Sequence, residues 1–166
     1  MDRSDSGGRT RTAVLVTLPA LILIALGAGQ AVAGETAFTL RASKSQDGPY
    51  ETFSRVGIPQ GQAKSTWWRV KNNSQDDQQP MSFSQLGGDE PGYKVTWFKG
   101  KRNITDEAKS TGYEFNLAAG QAKYFRSRIK RTGPEDSACV QARVWNEGHT
   151  FASDASMGVN TNKCFL

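Results

Sequence analysis

Histidine is almost missing from this chain: His149 is the single one among 166 residues. A Ser–His–Asp triad would have to be built on that one residue, inside the turn-like run Asn146-Glu-Gly-His-Thr150, where a solvated loop histidine is the plainer reading. Cysteine is scarce too, with Cys139 and Cys164 alone. Catalytic or metal-binding use of either thiol needs partners that a one-histidine chain does not supply, so no metal or cofactor is implied. Beyond residue 33 there is no second long apolar run, and no segment has the apolar period of a convincing amphipathic helix.

What the chain does contain begins with an export signal. Arg3, Arg9 and Arg11 form a basic start, Ala13 to Leu26 is uncharged and apolar apart from Thr17, and Ala31-Val32-Ala33 has the small-x-small form of a cleavage site. This layout predicts a signal peptide helix over residues 1–33. A retained membrane anchor is the alternative, but a spanning helix needs about 20 apolar residues, and this run is shorter and interrupted by Pro19. Thr10 separates Arg9 from Arg11, so the pair is no twin-arginine signal. Cleavage leaves residues 34–166, 133 residues or one domain's worth, and lowers the formal charge from +5 to +4. The expected location is secreted or envelope-associated, with membrane contact only if the first segment is retained. Scattered cations together with export argue against a nucleic-acid partner. An even cysteine count in an exported chain reads as a disulfide between Cys139 and Cys164, worth roughly 3–4 kcal/mol by loop closure.

The mature part reads as all-β: short β-branched and aromatic segments separated by Gly, Asn, Asp, Ser and Pro clusters. Strands are expected over 37–42, 65–72, 81–86, 93–99, 113–117, 122–131, 138–147 and 155–164. The stretch 43–64 carries no clear signal. Alternation places Trp68 and Val70 on one face with Trp67, Arg69 and Lys71 on the other. By the same rule Tyr93, Val95 and Trp97 oppose Lys94, Thr96 and Phe98, and Phe125 and Ile129 oppose Tyr124, Arg126, Arg128 and Lys130. One wet and one buried face per strand is what a single antiparallel sandwich needs. In the last two strands Val140, Ala142 and Val144 share a face, as do Met157 and Val159, while both cysteines take the other. Pairing Cys139 with Cys164 sets Val144 against Val159 and Ala142 against Thr161, at the expense of Val140 meeting Lys163.

The order of these pieces resembles a known family. Trp68-Arg-Val-Lys-Asn-Asn73 is similar to a "V-R-V-x-N" strand and turn. Tyr93-Lys-Val-Thr-Trp-Phe-Lys-Gly100 with Asn103-Ile104-Thr105 resembles "f-x-V-x-Y-x-x-G-x-x-D-V-T", and Leu117-Ala-Ala-Gly120 resembles "L-x-P-G". Together they look like the immunoglobulin-type β-sandwich domains found beside bacterial α-galactosidases and in secreted and cell-surface proteins of actinobacteria. The resemblance covers about residues 65–162. It departs at Ala119 and Asn103, where Pro and Asp are usual, and in the added cysteine pair. It implies an immunoglobulin-like β-sandwich without catalytic apparatus, with a structural, adhesive or interaction role.

Residues that could bind a partner are few. Trp68 and Trp97 read as core, whereas Trp67 and Trp145 fall on the outward parity and could stack on sugar or form an interface. Arg126, Arg128 and Lys130 line one face of their strand, where they could meet an anionic cell-wall polymer or simply keep a sheet face solvated. The partner classes considered are a cell-wall polymer, a glycan or another extracellular protein, with carbohydrate binding through Trp67 or Trp145 as the rival to a structural role. Asp76-Asp77, Asp89-Glu90, Asp106-Glu107 and Glu135-Asp136 read as turn acids, without the spaced ligands of a dedicated calcium loop; a weak calcium site shared between loops stays open. Asn72-Asn73-Ser74 and Asn103-Ile104-Thr105 match glycosylation acceptors and read as turns.

Overall fold

The computed structural model describes residues 37–164, so the export signal expected over residues 1–33 lies outside it. In chain order the elements are β1 (Phe38–Ser43), β2 (Phe53–Val56), β3 (Ala63–Asn72), β4 (Gln78–Leu86), β5 (Tyr93–Lys99), β6 (Arg102–Asn103), α1 (Thr105–Lys109), β7 (Tyr113–Leu117), β8 (Ala122–Arg131), β9 (Ala138–Asn146) and β10 (Ala152–Val159). The strands form two five-stranded sheets, β1-β3-β8-β5-β6 and β2-β10-β9-β4-β7, packed as an all-β sandwich. Pairing is antiparallel except between β2 and β10, which run parallel. Pro80 sits where the β4–β7 register shifts, beyond the reach of the β9 pairing that starts at Met81, so its missing N–H costs no ladder bond to β9.

Alternation decides the core. Trp68, Val70, Tyr93, Val95, Trp97, Phe125 and Ile129 are buried from the first sheet; Met81, Phe83, Leu117, Val140, Ala142, Val144, Ala155, Met157 and Val159 are buried from the second. Phe83 stacks on Phe125 at 4.2 Å between centroids and meets Trp97 edge-on at 5.0 Å, with Trp68 at 5.2 Å from Trp97. Such pairs contribute about 0.5–1.5 kcal/mol each beyond the burial itself. Both indole N–H groups are satisfied inside: Trp97 donates to Gln85 Oε1 at 2.7 Å and Trp68 to Ser127 Oγ at 3.0 Å. Buried Asn72 acts as a polar hub, its amide donating to the carbonyls of Asp76, Leu117 and Ala118 while its oxygen accepts from Ser74. A residue so enclosed is no glycosylation acceptor in the folded chain. Asn103 likewise serves a turn, accepting from the Thr105 N–H and hydroxyl at the start of α1.

Three elements were not legible: β2, the two-residue β6 and α1. β2 lies within the unclear stretch 43–64; four residues, Phe-Ser-Arg-Val, carry no alternation, and what holds them is the β10 ladder. Asn160 fixes the chain that follows, accepting from the Ile58 N–H at 2.8 Å and donating to the Ile58 carbonyl at 3.0 Å. The helix α1, five residues long, is too short for a period to show; it is held by buried Ile104 and Ala108.

The final hairpin corrects the expected register. Cys139 faces Gly158, Val140 faces Met157, Ala142 faces Ala155 and Val144 faces Ser153. β10 therefore starts at Ala152 and ends at Val159 rather than spanning 155–164. The reason is the turn: Gly148 (φ 74°) and His149 (φ 53°) reverse the chain tightly after Asn146, and Val140 then meets Met157 instead of Lys163. The displacement is even, so each side chain keeps its face. The disulfide forms all the same, with Cα atoms 5.7 Å apart, because the chain turns back after Asn160 (φ 55°) and brings Cys164 over the strand end. Gly158 makes that return possible: a Cβ there would stand 2.6 Å from the Thr161 carbonyl oxygen. The bond thus clasps a tail onto the sheet rather than joining two facing strand positions.

Candidate binding surface

Strand composition and topology together separate charge between the two sheets. The five strands of the first sheet contain twelve Lys and Arg and not one Asp or Glu. Those of the second contain Arg55 and Arg143 against Glu114 and Asp154. Seven of the twelve, Arg41, Arg69, Lys71, Lys94, Arg126, Arg128 and Lys130, occupy outward positions by the period of two. The ion pairs involve other residues: Arg102 on the edge strand and Arg131 at the end of β8 pair with Glu107 and Asp136, and Lys109–Asp89 and Arg143–Asp154 lie outside this sheet. Among the described residues, none of the seven outward cations has a carboxylate within pairing distance.

Rings hold part of this face in place of acids. Register sets Trp67, Arg126 and Phe98 in one row across β3, β8 and β5, and Arg41, Arg69 and Tyr124 in the row beside it across β1, β3 and β8. The Arg126 guanidinium lies 4.4 Å from the Phe98 ring centre, and that of Arg69 4.8 Å from the ring of Tyr50, which arrives from the β1–β2 connection. Tyr50 in turn packs against Tyr124 at 5.9 Å. Each cation–π contact is worth about 0.5–1 kcal/mol when partly exposed. Neither arginine donates a hydrogen bond to another described residue, and the Nε of each is covered without an acceptor. Burial and then the Tyr124 and Asp47 neighbours push the Tyr50 phenol up, against the pull of Arg69. At the rim, Lys99 donates to the Tyr124 carbonyl, and burial followed by the nearby Lys123 charge pushes its ammonium pKa down. A shallow recess of about 730 Å³ opens there, lined by Trp67, Lys101, Lys123, Tyr124 and Arg126 among others.

The residues expected to bind are thus divided. Trp67, Arg126, Arg128 and Lys130 share one face. Trp145 stands on the outward side of the other sheet, stacked on His149 at 5.6 Å, with its ring over Gly112, where a Cβ would come within 3.1 Å of it. Neither outward tryptophan is fully exposed; both are half-buried, Trp145 under its own hairpin turn. Arg69, Phe98 and Tyr124 were legible as outward by parity. Tyr50 was not, since a loop residue has no period.

The acidic pairs serve local structure. Asp89 takes both short contacts from Lys109 Nζ, Asp77 accepts from the Ala119 N–H, Asp136 pairs with Arg131, and Glu107 pairs with Arg102. Glu107 is held below the usual carboxylate value, first by its own backbone N–H and then by Arg102. Among the described residues no three His, Cys, Asp or Glu side chains gather as a metal site, and no helix is long and apolar enough to cross a membrane.

No family model and no curated protein matches the chain. Among solved structures, it is similar to a conjugative transposon lipoprotein from Bacteroides eggerthii, at 10% identity and a TM-score of 0.50, over 76% of this chain and 100% of that one. A family 123 glycoside hydrolase from Clostridium perfringens matches at the same identity and score over 75% of this chain, which spans only 27% of the hydrolase. At such identities the likeness is one of fold.

Proposed function

We propose that this chain is an exported, non-catalytic β-sandwich module of immunoglobulin-like type, working at or beyond the cell envelope by adhering to its surroundings. The observation that carries this reading is the separation of charge: one sheet with twelve cations and no acid in its strands, seven of them outward and free of ion pairs. A broad basic face suits contact with an extended partner better than enclosure of a small substrate. The Cys139–Cys164 bond suits an oxidising compartment, in line with the export signal read from residues 1–33. The fold is shared with a conjugative transposon lipoprotein. Several groups a hydrolase would recruit are engaged otherwise, with His149 on Trp145, Asp77 on the Ala119 N–H, and Asp89, Glu107 and Asp136 in ion pairs. The segments carrying the family resemblance form β3 and its turn, β5 through the start of α1, and the connection that carries the chain from β7 in one sheet to β8 in the other.

Fractionation of the native host with intact-mass measurement tests the proposal. The expected species begins at Gly34, is two hydrogens lighter than the reduced chain, and is found in the medium or released from the envelope fraction by added salt. Recovery in the cytoplasm with both thiols free would sink it.

A further inference from the structure

Arg126, Arg128 and Lys130 recur along β8 at intervals of about 6.7 Å, since same-face residues are two strand steps apart. Lys94 and Arg69 extend the array to the neighbouring strands, about 4.8 Å away. A compact anion cannot span such an array; a chain bearing charge on successive units can. The cations alternate with the rings of Trp67, Phe98 and Tyr124, and Tyr124 is 44% exposed. Guanidiniums laid on rings are already oriented, so little freedom is lost when a planar carboxylate docks on them.

We infer that the outward face of the basic sheet is a docking surface for an extended acidic polysaccharide, its carboxylates taken by Arg69, Arg126 and Arg128 and its sugar rings lying over Trp67 and Tyr124. The inference rests on the adhesive-module reading and adds the ligand class. A ring-built uronate chain engages both components of the face. A polyol phosphate chain would use the charges alone, and export separates the protein from nucleic acid.

The test uses the disulfide-intact protein titrated with sodium polygalacturonate, against neutral dextran, linear polyphosphate and single-stranded DNA at matched ionic strength. Binding is read by tryptophan fluorescence and by retention on immobilised polymer. Polygalacturonate is expected to bind and dextran not. R126Q/R128Q should weaken binding tenfold or more, whereas R55Q/K163Q, which removes the same charge away from the basic sheet, should change it less than twofold. Trp67→Leu should weaken polygalacturonate binding several-fold and leave polyphosphate binding unchanged. Thermal unfolding checks each variant, and K94Q/K130Q serves as the second basic-face pair if R126Q/R128Q fails to fold. Equal losses from the two double variants, tighter binding of polyphosphate or DNA than of polygalacturonate, or indifference to Trp67→Leu would each overturn the assignment. A protein that fractionates with the envelope yet ignores polygalacturonate loses this ligand and keeps the module reading.

Discussion

Replacing Gly158 by alanine sets a methyl group against the returning C-terminal tail. The backbone at Gly158 is ordinary strand, so the cost is one of space alone. The added Cβ would lie 2.6 Å from the Thr161 carbonyl oxygen and 3.0–3.1 Å from two ring atoms of Phe53. The Phe53 ring can tilt, but the carbonyl belongs to a backbone tied down three residues later by Cys164. Overpacking of this kind costs about 1–3 kcal/mol. Cutting the clasp with C139S/C164S removes about 3.5 kcal/mol on the chain-entropy estimate for a 25-residue separation, and it lets the tail lift away. In that background the Gly158→Ala penalty should fall below about 1 kcal/mol, leaving a coupling of about 1–2 kcal/mol between the two sites. Urea unfolding of the four proteins, followed by fluorescence of buried Trp68 and Trp97, measures each corner of the cycle. Equal alanine penalties with and without the disulfide would refute the reasoning, as would no penalty in the bonded protein.

Ser127→Ala strips both the Thr66 hydroxyl and the Trp68 indole N–H of their buried partner and should cost about 1–3 kcal/mol, read as a lower urea midpoint at unchanged slope. Asn72→Ala frees three carbonyls near the β3–β4 turn and should cost about 2–4 kcal/mol, with amide exchange accelerating first around Asp76 and Leu117. Glu107 has its pKa lowered from 4.5 in the fold, so it contributes stability above that value and loses it as pH falls through the depressed one. Glu107→Gln should therefore lower stability slightly at neutral pH and flatten the acid limb below about pH 4.5, the two proteins converging at low pH. An acid limb identical in the two proteins would contradict that assignment.

Much of this architecture was legible because a strand's side chains alternate whatever it pairs with. The inward sets of β3, β5, β8, β9 and β10 follow from the residue order alone, and so does the outward placing of Arg126, Arg128, Lys130 and Cys139, whereas Cys164 lies beyond the strand end where parity does not apply. The disulfide partners were legible by elimination, two thiols in a chain that reads as exported. The hairpin register was not. Two pairings six residues apart keep the same faces, and the choice between them lies with the turn at Gly148 and His149 and with the packing of Val140 on Met157.

The candidate surface divides in the same way. Each basic strand could be read in isolation, but a strand's sequence does not say which neighbours it joins. Tertiary pairing puts β1, β3, β5, β6 and β8 in one sheet and thereby gathers twelve cations without an acid among them, while Trp145 goes to the opposite side and Tyr50 swings in from a loop. Amino-acid order by itself determined which way each side chain of a strand points, since that depends only on the local backbone period. Which charges stand together was decided by the tertiary structure, since proximity across a sheet is set by contacts between segments remote in the chain.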